Sequence, residues 1–226
     1  MALILAKRIL KAHPNGFVGA IVEGRRGIGK SSYCLKSMYE VYKAHLGCST
    51  EDAWEAALSN TLFDVDDVIK KLGKAADDNE VVLAWTWDDC GVGGSNMLWM
   101  IEYHKVNVLK ALMDTVRSVA TGVLLNCPNR EGILKMLRSY DDYLVDIHKL
   151  DGHYSRVARG YNIYKLPSGM RRVYKNFEDK YSCHLPNWVF DKYEVTRNSY
   201  TKKAVDILRD LQKQAADKKR REEARA

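Results

Sequence analysis

The chain has 226 residues, 46% hydrophobic and 29% charged, with 15 Gly, 4 Pro and a formal net charge of +7. That composition excludes a disordered, collagen-like or low-complexity chain, and the length suits one large domain or a domain with an extension. No apolar run approaches the roughly 18 residues of a bilayer-crossing helix, and Lys7 and Arg8 cut short the apolar stretch Ala2–Ala6, so neither a membrane span nor a signal peptide is expected.

The charge is uneven. Residues 1–155 carry 18 Lys and Arg against 20 Asp and Glu, a balance of −2, while residues 156–226 carry 18 against 9, a balance of +9. This divides the chain into a core over 1–155 and a basic extension over 156–226, and points to a polyanionic partner, most often nucleic acid. The five cysteines, at 34, 48, 90, 127 and 183, include no C-x-x-C pair, which predicts free thiols in a reducing, cytoplasmic compartment.

Residues 3–12 suit a short helix ending at the turn cluster His13-Pro14-Asn15-Gly16. Phe17–Glu23 reads as a buried strand, Gly24–Lys30 as a Gly-rich turn, and Ser31–Leu46 as a helix stopped by Gly47. Ser49 and Asp52 fit a capping arrangement for a helix to about Leu58. Thr61–Phe63 is a short strand candidate, and Asp64 caps a helix from Val65 to about Ala76. Val81–Trp87 is a second buried strand, followed by Asp88-Asp89, a Gly91–Ser95 loop and a long helix over Asn96–Ser118. Thr121–Cys127 is a third strand, Pro128-Asn129 opens a helix to about Ser139, and Tyr143–His148 is a fourth strand. This alternation predicts an α/β core: βαβ units on a mainly parallel sheet in three layers. Beyond 155, Arg156–Leu166 and Met170–Asn176 flank Pro167-Ser168-Gly169 as a hairpin. An irregular aromatic stretch and a charged helix from Ser199 to the end follow.

The chemistry concentrates in Gly24-Arg25-Arg26-Gly27-Ile28-Gly29-Lys30-Ser31, which matches G-x-x-x-x-G-K-[ST] between a strand and a helix. The glycines allow a backbone path whose N–H groups face phosphate oxygens. Lys30 reaches β- and γ-phosphates, the Ser31 hydroxyl suits Mg²⁺, and the helix N-terminus favours anions. Gly24 to Ser32 are thus the candidate ATP-binding residues, with Ser31 also a metal ligand. Asp88 and Asp89 follow the second strand, and Asn126 ends the third.

Together these residues resemble the P-loop NTPase superfamily over about residues 17–148, and its ATPase branch in particular, in which an extra strand separates the P-loop strand from the Mg²⁺ strand. The layout of strand, Asp-Asp, Gly-rich loop, long helix and polar strand tip looks like small ATPases of plasmids and viruses, including DNA-packaging ATPases and relatives of AAA+ replication proteins. The chain departs from standard AAA+ proteins in having too few residues left for a four-helix lid, and in Asp89 standing where Glu is usual. The resemblance implies that Asp88 holds Mg²⁺, that Asp89 orients the attacking water, and that Asn126 bonds the γ-phosphate or that water; a turn-making role with Pro128-Asn129 is the alternative for Asn126. Arg117, Arg130 and Arg138 are candidates for an arginine finger. In the extension, Arg156, Arg159, Arg171, Arg172 and Lys175 alternate with aromatics as candidate nucleic-acid contacts, unless the aromatics serve to pack the hairpin on the core. The function expected is an oligomeric, DNA-acting ATPase of a mobile genetic element. A small-molecule kinase and a non-catalytic nucleotide switch are the other readings.

Overall fold

The computed structural model describes residues 2–90, 103–140, 142–165 and 171–223. Two compact units result, Met1–Leu185 and Pro186–Ala226. The first is built on a seven-stranded sheet of order β2-β3-β4-β1-β5-β6-β7. Its strands are β1 (Val18–Glu23), β2 (Thr61–Leu62), β3 (Val82–Trp87), β4 (Ala120–Asn126), β5 (Tyr143–Lys149), β6 (Ser155–Lys165) and β7 (Arg171–Ser182). β1 to β5 are parallel, and β6 and β7 add on antiparallel. The composition change at residue 156 therefore falls inside the sheet: β6 pairs with β5 from Lys149 opposite Arg156 to Leu144 opposite Tyr161.

Helices α1 (Ile4–Ala12), α2 (Lys30–Leu46), α3 (Thr50–Ser59), α4 (Val65–Asp77) and α5 (Tyr103–Asp114) surround this sheet. The strands of a parallel sheet covered on both faces are apolar throughout, as β1, β3 and β4 are. On one face Ile21, Trp85, Trp87, Val123 and Leu125 pack with Val68 and Leu72 of α4 and Leu109 and Met113 of α5. On the other, Tyr42 of α2 donates its hydroxyl to the Ala84 carbonyl at 2.6 Å, and Ile9 of α1 lies so close to Gly122 that a Cβ there would meet it at 2.9 Å. The caps follow the sequence: the Ser49 hydroxyl accepts from Asp52 N, and the Asp64 carboxylate accepts from Asp66 N and Asp67 N.

Three expectations change. Residues 128–139 form two 3₁₀ turns, Arg130–Gly132 and Leu137–Ser139, rather than an α-helix. Here guanidinium groups take the carbonyls that helical N–H groups would have bonded. Arg138 donates to the carbonyls of Ile133 and Glu131, and Arg130 donates to that of Arg138. The second hairpin strand runs to Ser182, six residues beyond Asn176, because Phe177–Ser182 pair with Gly160–Ser155 of β6 along their whole length. The last helix, α6 (Asn187–Glu223), begins twelve residues before Ser199, where the Pro186 carbonyl accepts from Val189 N and Phe190 N. The Gly91–Ser95 loop, the start of the helix expected from Asn96 and the Pro167–Gly169 turn lie outside the described residues.

One buried carboxylate joins three elements. Asp179 of β7 accepts from the N–H groups of Ile4 and Leu5 at the start of α1, and from the Tyr33 hydroxyl of α2 at 2.7 Å. Burial, reinforced by Asp179, pushes the Tyr33 phenol well up, so it stays a donor. Asp179→Ala leaves these donors without an acceptor and should cost about 3 kcal/mol. A urea unfolding curve with a lower midpoint and unchanged slope would show it; an unchanged midpoint would refute it.

Candidate active site

Parallel strands deliver their carboxyl ends to one edge, and three of those ends meet here. Val22 of β1 pairs with Asn126 of β4, and Trp87 of β3 pairs with Leu125, so Asp88 arrives beside Asn126. The loop leaving β1 at Gly24 turns through positive φ at Gly24 (140°), Gly27 (73°) and Gly29 (106°), values that L side chains rarely adopt. α2 starts at Lys30, directly after it.

The loop carries its lysine folded inward. Lys30 is 6% exposed, and its Nζ donates to the carbonyls of Gly24 (3.0 Å) and Arg25 (3.1 Å). Ser31 Oγ donates to Asp88 Oδ1 at 3.0 Å, and Asn126 Nδ2 donates to Ser31 Oγ at 3.1 Å and also contacts Asp88 Oδ1. Asp88 and Asn126 are each 1% exposed. Among the described residues Asn126 Oδ1 is buried with no hydrogen-bond partner, which leaves an open acceptor beside Ser31 and Asp88. The hydroxyl and carboxylate oxygens of Ser31 and Asp88 are hard donors of the kind Mg²⁺ takes, alongside phosphate oxygens and water. Asp89 has φ 48°, a left-handed conformation that costs about 1–3 kcal/mol in a non-glycine residue and recurs at active sites. Arg25 and Arg26 are exposed, and Ser32 is half-buried in the first turn of α2.

The hairpin supplies something the sequence did not signal. Arg156 and Tyr181, directly opposite each other on β6 and β7, both bond the P-loop backbone. Arg156 Nε donates to the Ile28 carbonyl at 2.8 Å, and the Tyr181 hydroxyl donates to the Gly29 carbonyl at 2.9 Å. Gly29 must be glycine twice over, for its φ and because a Cβ would lie 2.9 Å from that of Cys183. Arg156, expected as a nucleic-acid contact, is 8% exposed and held by the loop and by the carbonyls of His153 and Ser155. Arg159 faces Glu178 at 3.6 Å. Arg172 and Lys175 are exposed on the distal hairpin, where Lys175 also bonds Glu178 at 2.6 Å. Arg171 pairs with Lys165 at the last described rung.

Among the arginines considered as fingers, Arg117 precedes β4 and so stands at the opposite edge of the sheet. Arg130 and Arg138 are engaged in the turns after β4. Sequence reading also passed over Glu23, at the tip of β1. Burial pushes its carboxyl up, a hydrogen bond from Arg130 N at 3.3 Å opposes the shift, and Asp146 on the neighbouring strand adds to it. Its signal was its place immediately before the loop.

An extra strand, β4, stands between the P-loop strand and the strand bearing Asp88, and a complete G-x-x-x-x-G-K-S loop leads into α2. In strand order and in this loop the chain resembles P-loop NTPases of the ATPase branch. No protein-family model matches the chain. Uncharacterized protein B-251 of Sulfolobus spindle-shape virus 1 is 28% identical over 221 residues, covering 92% of this chain and 85% of that protein. Similar solved structures include the RadB recombinase (14% identity, 71% of this chain and 89% of that one, TM-score 0.40). The flagellar accessory protein FlaH of Methanocaldococcus jannaschii (13%, 78% and 96%, TM-score 0.40) and a KaiC-like protein of Pyrococcus horikoshii (12%, 70% and 91%, TM-score 0.35) are others.

Tyr181→Phe removes one bond from the P-loop while keeping the ring. A net hydrogen bond of about 1 kcal/mol corresponds to about fivefold weaker ATP binding, read by calorimetric titration. Wild-type affinity in this variant would show that the hairpin does not shape the loop.

Proposed function

We propose that the protein is a Mg²⁺-dependent ATPase that acts on DNA for a mobile genetic element and works as an oligomer. The observation that carries the catalytic part is the meeting of Ser31, Asp88 and Asn126 within hydrogen-bond reach beneath an intact P-loop. Lys30 leaves the carbonyls of Gly24 and Arg25 for the β- and γ-phosphates, while the loop N–H groups and the start of α2 hold the remaining phosphate oxygens. Ser31 and Asp88 would hold Mg²⁺, which would supply the positive charge that phosphoryl transfer requires. Asn126 Oδ1 accepts from the attacking water, and Asp89 takes its proton. With Arg130 and Arg138 engaged in their own loop, the finger role passes to an arginine of a neighbouring subunit. Two results would support the catalytic reading. Lys30→Ala and Asp88→Asn should each lower kcat by about 100-fold or more, the scale of losing one group that stabilises transition-state charge. Asp89→Asn should bind ATP normally yet turn over slowly in a steady-state phosphate-release assay. Full turnover by Lys30→Ala would sink the reading.

The DNA part rests on the distal hairpin. Past the last pairing with β5, at Tyr161, β6 and β7 pair only with each other. This two-stranded arm exposes Tyr164, Val173 and Tyr174, with the two tyrosine rings 5.7 Å apart, beside Arg172 and Lys175. Cations meet phosphates and aromatic faces stack on bases. The viral origin of the 28% identical relative supports the mobile-element setting. Reversing Arg171 and Arg172 to Glu should weaken DNA binding and flatten the log–log salt dependence by about 2, because counterion release scales with the phosphates neutralised. ATP affinity should be unchanged. An intact protein with no DNA affinity at low salt and saturating ATP would overturn this part.

A further inference from the structure

The segment joining β5 to β6 and the residues after β7 both lie at the carboxyl edge of the parallel strands, the edge that bears the P-loop. They are tied together there: Cys183 N donates to the Tyr154 carbonyl at 2.8 Å, and Leu150 N donates to the Ser155 carbonyl at 3.1 Å. Three aromatic rings gather on this knot. His153 and Tyr154 stand edge to face with centroids 4.5 Å apart, and Tyr154 and His184 are tilted at 5.2 Å. All three are exposed, Tyr154 by 50%.

Their neighbours along the chain touch the nucleotide loop. Cys183, beside His184, abuts Gly29, and Arg156 links the His153 carbonyl to that of Ile28. The rings therefore border the loop on its β6–β7 side, whereas Ser31, Asp88 and Asn126 form its β4–β3 side. A triphosphate seated in the loop with its terminal phosphate toward Asp88 leads its sugar and base the other way, toward the rings.

We propose that Tyr154 and His184, buttressed by His153, form the platform on which the base of the bound nucleoside triphosphate stacks. The inference rests on the P-loop reading and adds the base to it. A flat heterocycle suits the site because its face can lie on an exposed aromatic face such as that of Tyr154, and because the phosphate loop next door fixes where the base must go.

The test separates base from phosphate. Mg·ATP and Mg·tripolyphosphate are titrated calorimetrically into the full chain, wild type and Tyr154→Ala, Tyr154→Phe and Tyr154→Ala/His184→Ala variants. Stacking on an aromatic side chain, measured by alanine substitution, predicts about tenfold weaker ATP binding by Tyr154→Ala, and weaker still in the double variant. Tripolyphosphate affinity should stay at the wild-type value, and Tyr154→Phe should bind ATP like wild type. Equal ATP affinity in all four proteins overturns the platform. Equal losses for ATP and tripolyphosphate also overturn it, since they mark Tyr154 as a prop of the loop. If wild type binds neither probe, the P-loop reading itself fails and takes the platform with it.

Discussion

A loop that turns its N–H groups inward around an anion must turn carbonyls elsewhere, and those carbonyls need donors. In this protein the requirement shapes the structure around the site. Gly24 and Arg25 use the ammonium of Lys30. Ile28 uses the Arg156 guanidinium, and Gly29 uses both Tyr33 N of α2 and the Tyr181 hydroxyl. The last two side-chain donors come from β6 and β7, strands that a minimal five-stranded parallel core would not need. The hairpin is thus bound at its base to the loop between β1 and α2, while Asp179, two residues before Tyr181, fastens it to α1 and α2.

The same economy governs the corner where Ser31, Asp88 and Asn126 meet. Asp88 is nearly inaccessible, and a buried carboxylate is tolerable only with donors around it. Ser31 and Asn126 are those donors. Two nearby thiols stay out of the chemistry. Burial pushes the thiol of Cys34 up, with Asp88 adding to the shift, and burial does the same to Cys90.

Much of this was legible because local rules and tertiary demands coincide. The apolar runs of β1, β3 and β4, the caps at Ser49 and Asp64 and the Gly24–Ser31 pattern each have short-range physical causes, and each element formed within a residue or two of its expected place. What escaped reading depends on contacts distant in sequence. Residues 128–139 carry helix-compatible composition, but Arg130 and Arg138 redirect the backbone through their side chains. Arg156 read as one cation among many in a basic stretch, and only the pairing of β6 with β5 brings it 128 residues back to Ile28. Tyr181 belongs to a half-strand that lacks the alternation of a hairpin limb, so neither its strand nor its role was apparent. Asn126 and Asp88 were recognisable as strand tips, yet their mutual hydrogen bonding follows from a register no local pattern encodes.

The hairpin also has a mechanical joint. Between Gly160 and Tyr161 the register slips, so that Gly160 faces Phe177 but Tyr161 faces Lys175, leaving Asn176 as the extra residue. The Phe177 ring occupies the space a side chain at Gly160 would fill, the Arg8 guanidinium lies over both Phe177 and Tyr143, and Arg8 bonds Asn176. Proximal to this rivet the ribbon is held by β5 and by α1 and α2; past Tyr161, among the described residues, the two strands pair only with each other. Stiffness therefore changes abruptly at one rung, and a load on the arm concentrates its bending moment there rather than spreading into the nucleotide loop.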